Sequence, residues 1–560
     1  MRARASSWDW APALLSYVVI ISACASGTGT APSEADTDGS PTTSTSGDPS
    51  GSGGTTTGAG EASALVARTW RLSHDQYEKS VVDLVGVEPD LSNFAPESGN
   101  GMFANFASTA FVRIDLAANY FQVAKNLAET LSVEQLQALT SCDLSVTCRD
   151  QFITELGEQA FRSPIPTEIF TKYQALFDVA AAEGSSELGY RALVAAILNS
   201  PLFLYRKEIG PEAEAASPTL NLTDYQLAEF LSFSLLGAPP PTWLREQVET
   251  TGLGGEGLVQ AVEALLDEPG FHSQLTRFLA EWAEVTRFDS VEKTDVFGNF
   301  AEVKSLMQEE AYSFFEQSGG SDRGMTNLLL DPVPSVSPAL DQYYFSDPSA
   351  PAEAERLGVL GLGAVLASHA KSYLTSPTQR GTFVRKRMFC REINLPEGFT
   401  PPPITETESL GVAKSTRELY ELHLGDATCA HCHELTDNIG FVLESFDGAG
   451  RFRTQDSTQG PPVPLNLASE LTDTDVDRPM NEPRDLNQAL AESVVVKNCM
   501  AQQAFRFYFG QMEEDEKLAG VVPAVAGGRG SFTETDSLGA LILGLLRTST
   551  TTERVREVQE

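Results

Sequence analysis

The chain has 560 residues and a formal net charge of -38 at pH 7, a length that accommodates roughly three or four domains. That charge excludes nucleic acid and anionic membrane surfaces as electrostatic partners, because both are recognised by clustered Lys and Arg. A strongly acidic surface serves first to keep a protein soluble.

The first element is short and apolar. Arg2 and Arg4 precede "APALLSYVVII", too brief to span a bilayer, so residues 1–23 read as a signal peptide. "ISAC" comes next and resembles a bacterial lipobox, in which Cys24 is lipidated and becomes the mature N-terminus. The competing reading is a plain secretory signal with an incidental cysteine. Lipidation implies a membrane anchor in the cell envelope, each buried methylene adding about 0.8 kcal/mol. Residues 24–66 form a Ser/Thr/Gly-rich tether, and residues 25–64 contain no aromatic or large aliphatic side chain. Such a segment is expected to be disordered, with a reach of about 35 Å.

Helical periodicity dominates the chain beyond the tether, with no sustained period-2 alternation and no β-α-β rhythm. "RLSHDQYEKSVVDLVGV" opens with a capping box, Ser73 answered by Gln76. Leu116, Tyr120, Val123 and Leu127 share a face of a second helix. Phe152, Ile153, Leu156 and Ala160 mark a third, stopped by Pro164, and Ile169, Phe170, Tyr173, Leu176 and Phe177 a fourth. "NLTDYQLAEFLSFSLLGAPPP" carries a second capping box, Thr223 and Gln226, and ends at Gly237 before three prolines. The expected fold is mainly α. Helical modules cover 67–210, a central helical domain 218–345, and a further module with C-terminal helices 355–550.

Chemical signatures are few. No phosphate-binding Gly-Lys-Ser/Thr loop, His-Glu-x-x-His or Gly-x-Ser-x-Gly occurs. His74, His272 and His369 stand apart and read as structural. "DTDVD", from Asp473 to Asp477, lacks the loop glycine and position-12 glutamate of an EF-hand and reads as an acidic turn.

One stretch differs. "DATCAHCHELTDNIGFVLESFDGAGRFR", from Asp426 to Arg453, contains Cys429, Cys432 and His433 in the attachment spacing of a c-type haem. Two thiols one helical turn apart reach the porphyrin's vinyl groups, and the adjacent imidazole becomes the proximal iron ligand. A zinc site needs four spread ligands, and the adjacent Cys432 and His433 serve one ion poorly. A thioredoxin-like dithiol needs a preceding strand, whereas "KSTRELYELHLG" reads as a helix capped by Ser415 and Glu418. A plain Cys429–Cys432 disulfide leaves the histidine unexplained. His431 occupies a variable position. Ile439, Phe441, Leu443 and Phe446 form either an apolar wall for the porphyrin or ordinary core. Arg451 and Arg453 are candidate propionate contacts or solvated arginines.

These segments resemble the planctomycete- and myxobacterial-type cytochrome c-like exported proteins, built from consecutive domains of unknown function. The resemblance spans nearly all of 67–550. It rests on "RLSHDQYEKSVVDLVG", "AFRSPIPTEIFTKYQALF", "ALVAAILNSPLFLYR", "LTDYQLAEFLSFSLLG", "SPTQRGTFVRKRMFC", the Cys-x-x-Cys-His stretch and "KNCMAQQAFRFYFG". The family usually has Asp-Pro-Ile-Gly where this chain has Asp437-Asn438-Ile439-Gly440, which removes a stiffening proline beside the motif. The resemblance implies architecture and export more than a reaction.

Four cysteines remain: Cys142, Cys148, Cys390 and Cys499. Three pairings are possible in an oxidising compartment. Cys142–Cys148 is expected as a local clasp and Cys390–Cys499 as a long-range bridge. For the sixth position on the iron the candidates are Met480, in a proline-bounded loop before a helix capped by Asp485 and Gln488, and His423 on the helix leading into the motif. Met500 reads as core and Met512 as surface. A protein sixth ligand favours electron transfer to an unknown redox partner, and an open position favours a peroxidase-like haem enzyme. Absence of haem leaves a surface binding or scaffold protein.

Overall fold

Ser73 Oγ accepts from the Gln76 backbone N–H while the Gln76 side chain accepts from Ser73 N–H, and the helix His74–Val85 starts there. The structure is a computed structural model that describes residues 65–97, 103–105, 113–211, 217–346, 356–393, 415–421, 427–456, 461–512 and 531–555. Helices Ile114–Thr130, Arg149–Phe161 and Thr167–Glu183 lie where the apolar spacing predicts them. Ser186–Leu198 has no comparable stripe because it is buried on nearly every side, from Gly189 through Ala195 without a break. Together these helices enclose a core in which Tyr77, Tyr120, Phe152, Phe177 and Tyr190 are fully buried. The Cys142–Cys148 disulfide clasps the turn entering the helix Arg149–Phe161.

A second core joins the central helices to the C-terminal ones. Asp224–Leu235, Pro269–Trp282 and Phe300–Ser318 pack with Val494–Phe509 and Leu538–Leu546. Phe278 meets Phe507 at 5.2 Å between ring centroids, and each such buried side chain contributes about 1.5–3 kcal/mol over exposure. Thr223 caps its helix, but the Gln226 side chain does not complete the box. It hydrogen-bonds Gly210 N and O instead, tying the chain on either side of the segment leading into that helix.

The strands are short. Leu65–Val66 runs parallel to Glu553–Val555, which pairs antiparallel with Thr219–Asn221. Leu65 and Val66 are therefore strand residues, although they fall inside the span expected for the tether. Arg68–Arg71 pairs with Tyr205–Glu208 and brings Arg68 opposite Glu208. Arg68, Arg206 and Arg554 surround Glu208, and Arg206 also lies 4.1 Å over the Trp70 ring. The fold is mainly helical, as its periodicity implies. Among the described residues no helix is long and apolar enough to cross a membrane.

Candidate functional site

Cys429, Cys432 and His433 lie in the first half of the helix Ala427–Val442. Three-residue spacing on a helix puts the two cysteine positions on one face. Cys432 is partly buried and is the free cysteine among the described residues, since Cys142–Cys148 and Cys390–Cys499 both form disulfides. The side chains of Cys429 and His431 lie outside the described residues, as do Cys24 and His423.

His433 Nδ1 is 2.8 Å from Asp437 Oδ2, one turn further along the helix. That hydrogen bond raises the His433 pKa, and burial opposes it. Asp437 is 2 % exposed. Its other oxygen accepts from Thr378 Oγ1 at 2.6 Å and lies 3.2 Å from Thr436 Oγ1. Thr378 comes from the helix Pro377–Phe383, which presses directly on the Cys-x-x-Cys-His helix. Glycines make that approach possible: a Cβ on Gly381 would overlap the Thr436 carbonyl, and one on Gly440 the Pro377 carbonyl. Asp437 and Thr378 are thus site residues that the motif alone does not mark. The i,i+4 spacing from His433 to Asp437 is the one signal of them in the sequence.

Beyond the helix, Arg380 holds the chain reversal by donating to the carbonyls of Leu443, Phe446 and Asp447. Glu444 is buried beside it. Burial pushes its pKa up, and Arg453 and Arg380 pull against that rise. Where propionate contacts are expected, both arginines pair with carboxylates of their own segment. Arg453 Nη2 lies 2.6 Å from Glu444 Oε2 and Arg451 Nε 2.6 Å from Asp447 Oδ2. Ile439 and Leu443 belong to the main core, while Phe441 packs apart with Leu419 and Tyr420. Arg417 lies 4.4 Å over the Phe441 ring. Glu418 N donates to Ser415 Oγ at the start of Thr416–Glu421, as the cap predicts.

Met480 is not in a loop. It ends the strand Arg478–Met480, opposite Ser469, and is fully buried in the main core. The next helix, Pro483–Glu492, starts from Glu482 with Asp485 as its N3 partner, because Pro483 suits the first helical position. Met500 is buried, and Met512 packs partly buried against the same core rather than standing on the surface. The acidic turn is used internally: Asp475 caps Val494–Phe509, Asp477 holds Thr474, and Asp473 pairs with Arg391. His369 lies 3.3 Å from Glu284, and His74 packs edge-on against Phe94.

Comparison with protein-family models gives four successive matches. Residues 70–133 match PSD3 (DUF1587) and 148–208 match PSD5 (DUF1595). Residues 222–345 match PSD4 (DUF1592), and 356–456 match PSCyt3 (DUF1588). All four are described as proteins of unknown function. The PSCyt3 match contains Cys429, Cys432, His433, Asp437 and Thr378. No curated protein and no solved structure matches the chain. The chain is a mainly helical, multi-domain protein carrying domain types of unknown function.

Proposed function

We propose that the helix Ala427–Val442 holds one covalent c-type haem and that the protein is an exported, lipid-anchored one-electron carrier. Cys429 and Cys432 would hold the haem through thioether links, and His433 would hold its iron. The observation that carries this reading is the His433–Asp437 hydrogen bond. It engages Nδ1 and holds the imidazole on a buried carboxylate, one residue along the chain from the free Cys432. The donor set fits haem: the other described cysteines are in disulfides, and the adjacent Cys432 and His433 serve a single tetrahedral ion poorly. When bound, the haem supplies one-electron redox chemistry. The protein's share is to fix the ring, cover it and set its potential.

The carrier reading requires a protein ligand on the sixth position. Met480 and His423 are the candidates, and both are tested together. Reduced wild type is exposed to carbon monoxide, and the spectra of Met480→Ala and His423→Ala are recorded. Little carbon monoxide binding by wild type, with a change of spin state in one variant, is expected. Ready binding with both variants unchanged replaces the carrier with the haem enzyme.

A further inference from the structure

We infer that Asp437 is the positioning residue of the proximal histidine, and that its hydrogen bond holds the haem at a lower potential than a neutral backbone carbonyl on Nδ1 would. The inference rests on the haem reading above and adds to it a residue that sets the redox behaviour of the site.

Four observations converge on Asp437. Its Oδ2 lies 2.8 Å from His433 Nδ1. The carboxylate is 2 % exposed, so solvent screens it weakly. Its Oδ1 is anchored by Thr378 from a second helix, 2.6 Å away. That helix cannot drift, because Gly381 and Gly440 bring its backbone against the backbone of the motif helix. An i,i+4 pair on a free helix surface would be worth a few tenths of a kcal/mol and would swing with its rotamers. Here the carboxylate is buried and its second oxygen is held.

The chemical consequence comes from charge. A carboxylate accepting the Nδ1–H increases electron density on the imidazole and makes Nε2 a more basic donor. A more basic donor, with a negative charge close behind it, stabilises ferric iron over ferrous and lowers the midpoint potential. The Thr378 contact acts in the opposite sense, because a donor to Oδ1 withdraws charge from Oδ2, whereas the Thr436 hydroxyl is bonded more closely to the Cys432 carbonyl. Asp437 therefore sets the potential and Thr378 trims it.

The test is a redox titration of haem-loaded wild type, Asp437→Asn and Thr378→Val. Asparagine keeps the side chain's volume but loses its charge. The midpoint of Asp437→Asn is expected to rise by a tenfold or larger change in the ferrous/ferric equilibrium, about 59 mV for a one-electron couple. Thr378→Val is expected to lower the midpoint, the opposite sign to Asp437→Asn, and its haem absorption spectrum is expected to match wild type, which a haem opened to water by loosened packing would not. Equal midpoints in all three proteins, each with covalent haem, overturn the inference and leave the haem reading standing. A wild type without covalent haem overturns both. Where Asp437→Asn fails to mature, Thr378→Val decides: a lowered midpoint supports the assignment, and an unchanged or raised one overturns it.

Discussion

Glu208 Oε2 and Arg554 Nη2 stand 2.7 Å apart across 346 residues of chain, and both side chains are sealed from solvent. The contact fastens the last strand to the first modules, beside Arg68 and Arg206. Burial alone would raise the Glu208 pKa, but Arg68, Arg554 and Arg206 override it and leave the carboxyl at about 2. Burial lowers the pKa of Arg206, to about 10, and that of Arg554.

Glu208→Gln leaves the buried guanidinium groups of Arg206 and Arg554, and the partly buried Arg68, short of a counter-charge. It is expected to cost ~3–5 kcal/mol, read from the denaturant midpoint at pH 7. The depressed pKa fixes the sign of the pH effect. The wild-type contribution is complete above the ordinary carboxylate pKa of 4.5 and is lost as pH falls through about 2. The variant should lack that acid-dependent loss. Equal stabilities at pH 7 contradict this role for Glu208.

Gly381→Ala tests the seating of the motif helix. The new methyl has no space against the Thr436 carbonyl, and the partner is backbone rather than a movable side chain. A loss of ~1–3 kcal/mol or more is expected, with a matching drop in haem incorporation. Unchanged melting and full incorporation would show that the two helices are not in this contact.

The Cys390–Cys499 bridge closes a separation of 109 residues and ties the segment after Pro377–Phe383 to Val494–Phe509. In the chain-entropy model a loop of that size is worth up to about 4.7 kcal/mol. Replacing both cysteines by serine should lower the melting temperature by several degrees, and non-reducing peptide maps of wild type should contain both this link and Cys142–Cys148. A Cys148–Cys390 peptide is incompatible with the fold.

Anchoring is tested at Cys24. Wild type is expected to sediment with membranes and Cys24→Ala to be released or misprocessed, as immunoblots of cell fractions would reveal. Soluble wild type contradicts the lipid anchor.

Local chemistry was legible in the sequence, and long-range partnership was not. Ser73 and Gln76 announce their helix because both halves of the capping box lie within one turn. The same pattern at Thr223 is half right, because Gln226 finds Gly210, 16 residues away in sequence. Met480 looks like a loop residue among prolines, yet a three-residue strand opposite Ser469 carries it into the core. Arg451 and Arg453 look available until burial pairs them with Asp447 and Glu444. Asp437 was within reach as the residue four after His433, but its anchoring by Thr378, 59 residues away in sequence, depends on two helices meeting at glycine.

Covalent haem on the Cys-x-x-Cys-His helix is tested most directly by peptide mapping of denatured protein that has been matured beside a cytochrome c assembly system. The peptide spanning Cys429 to His433 is expected to retain haem absorbance and mass after denaturation, bound through both cysteines, and Cys432→Ser is expected to weaken or abolish that signal. Recovery of the peptide from wild type with both thiols free, or joined to each other, and with no haem, would contradict the haem assignment.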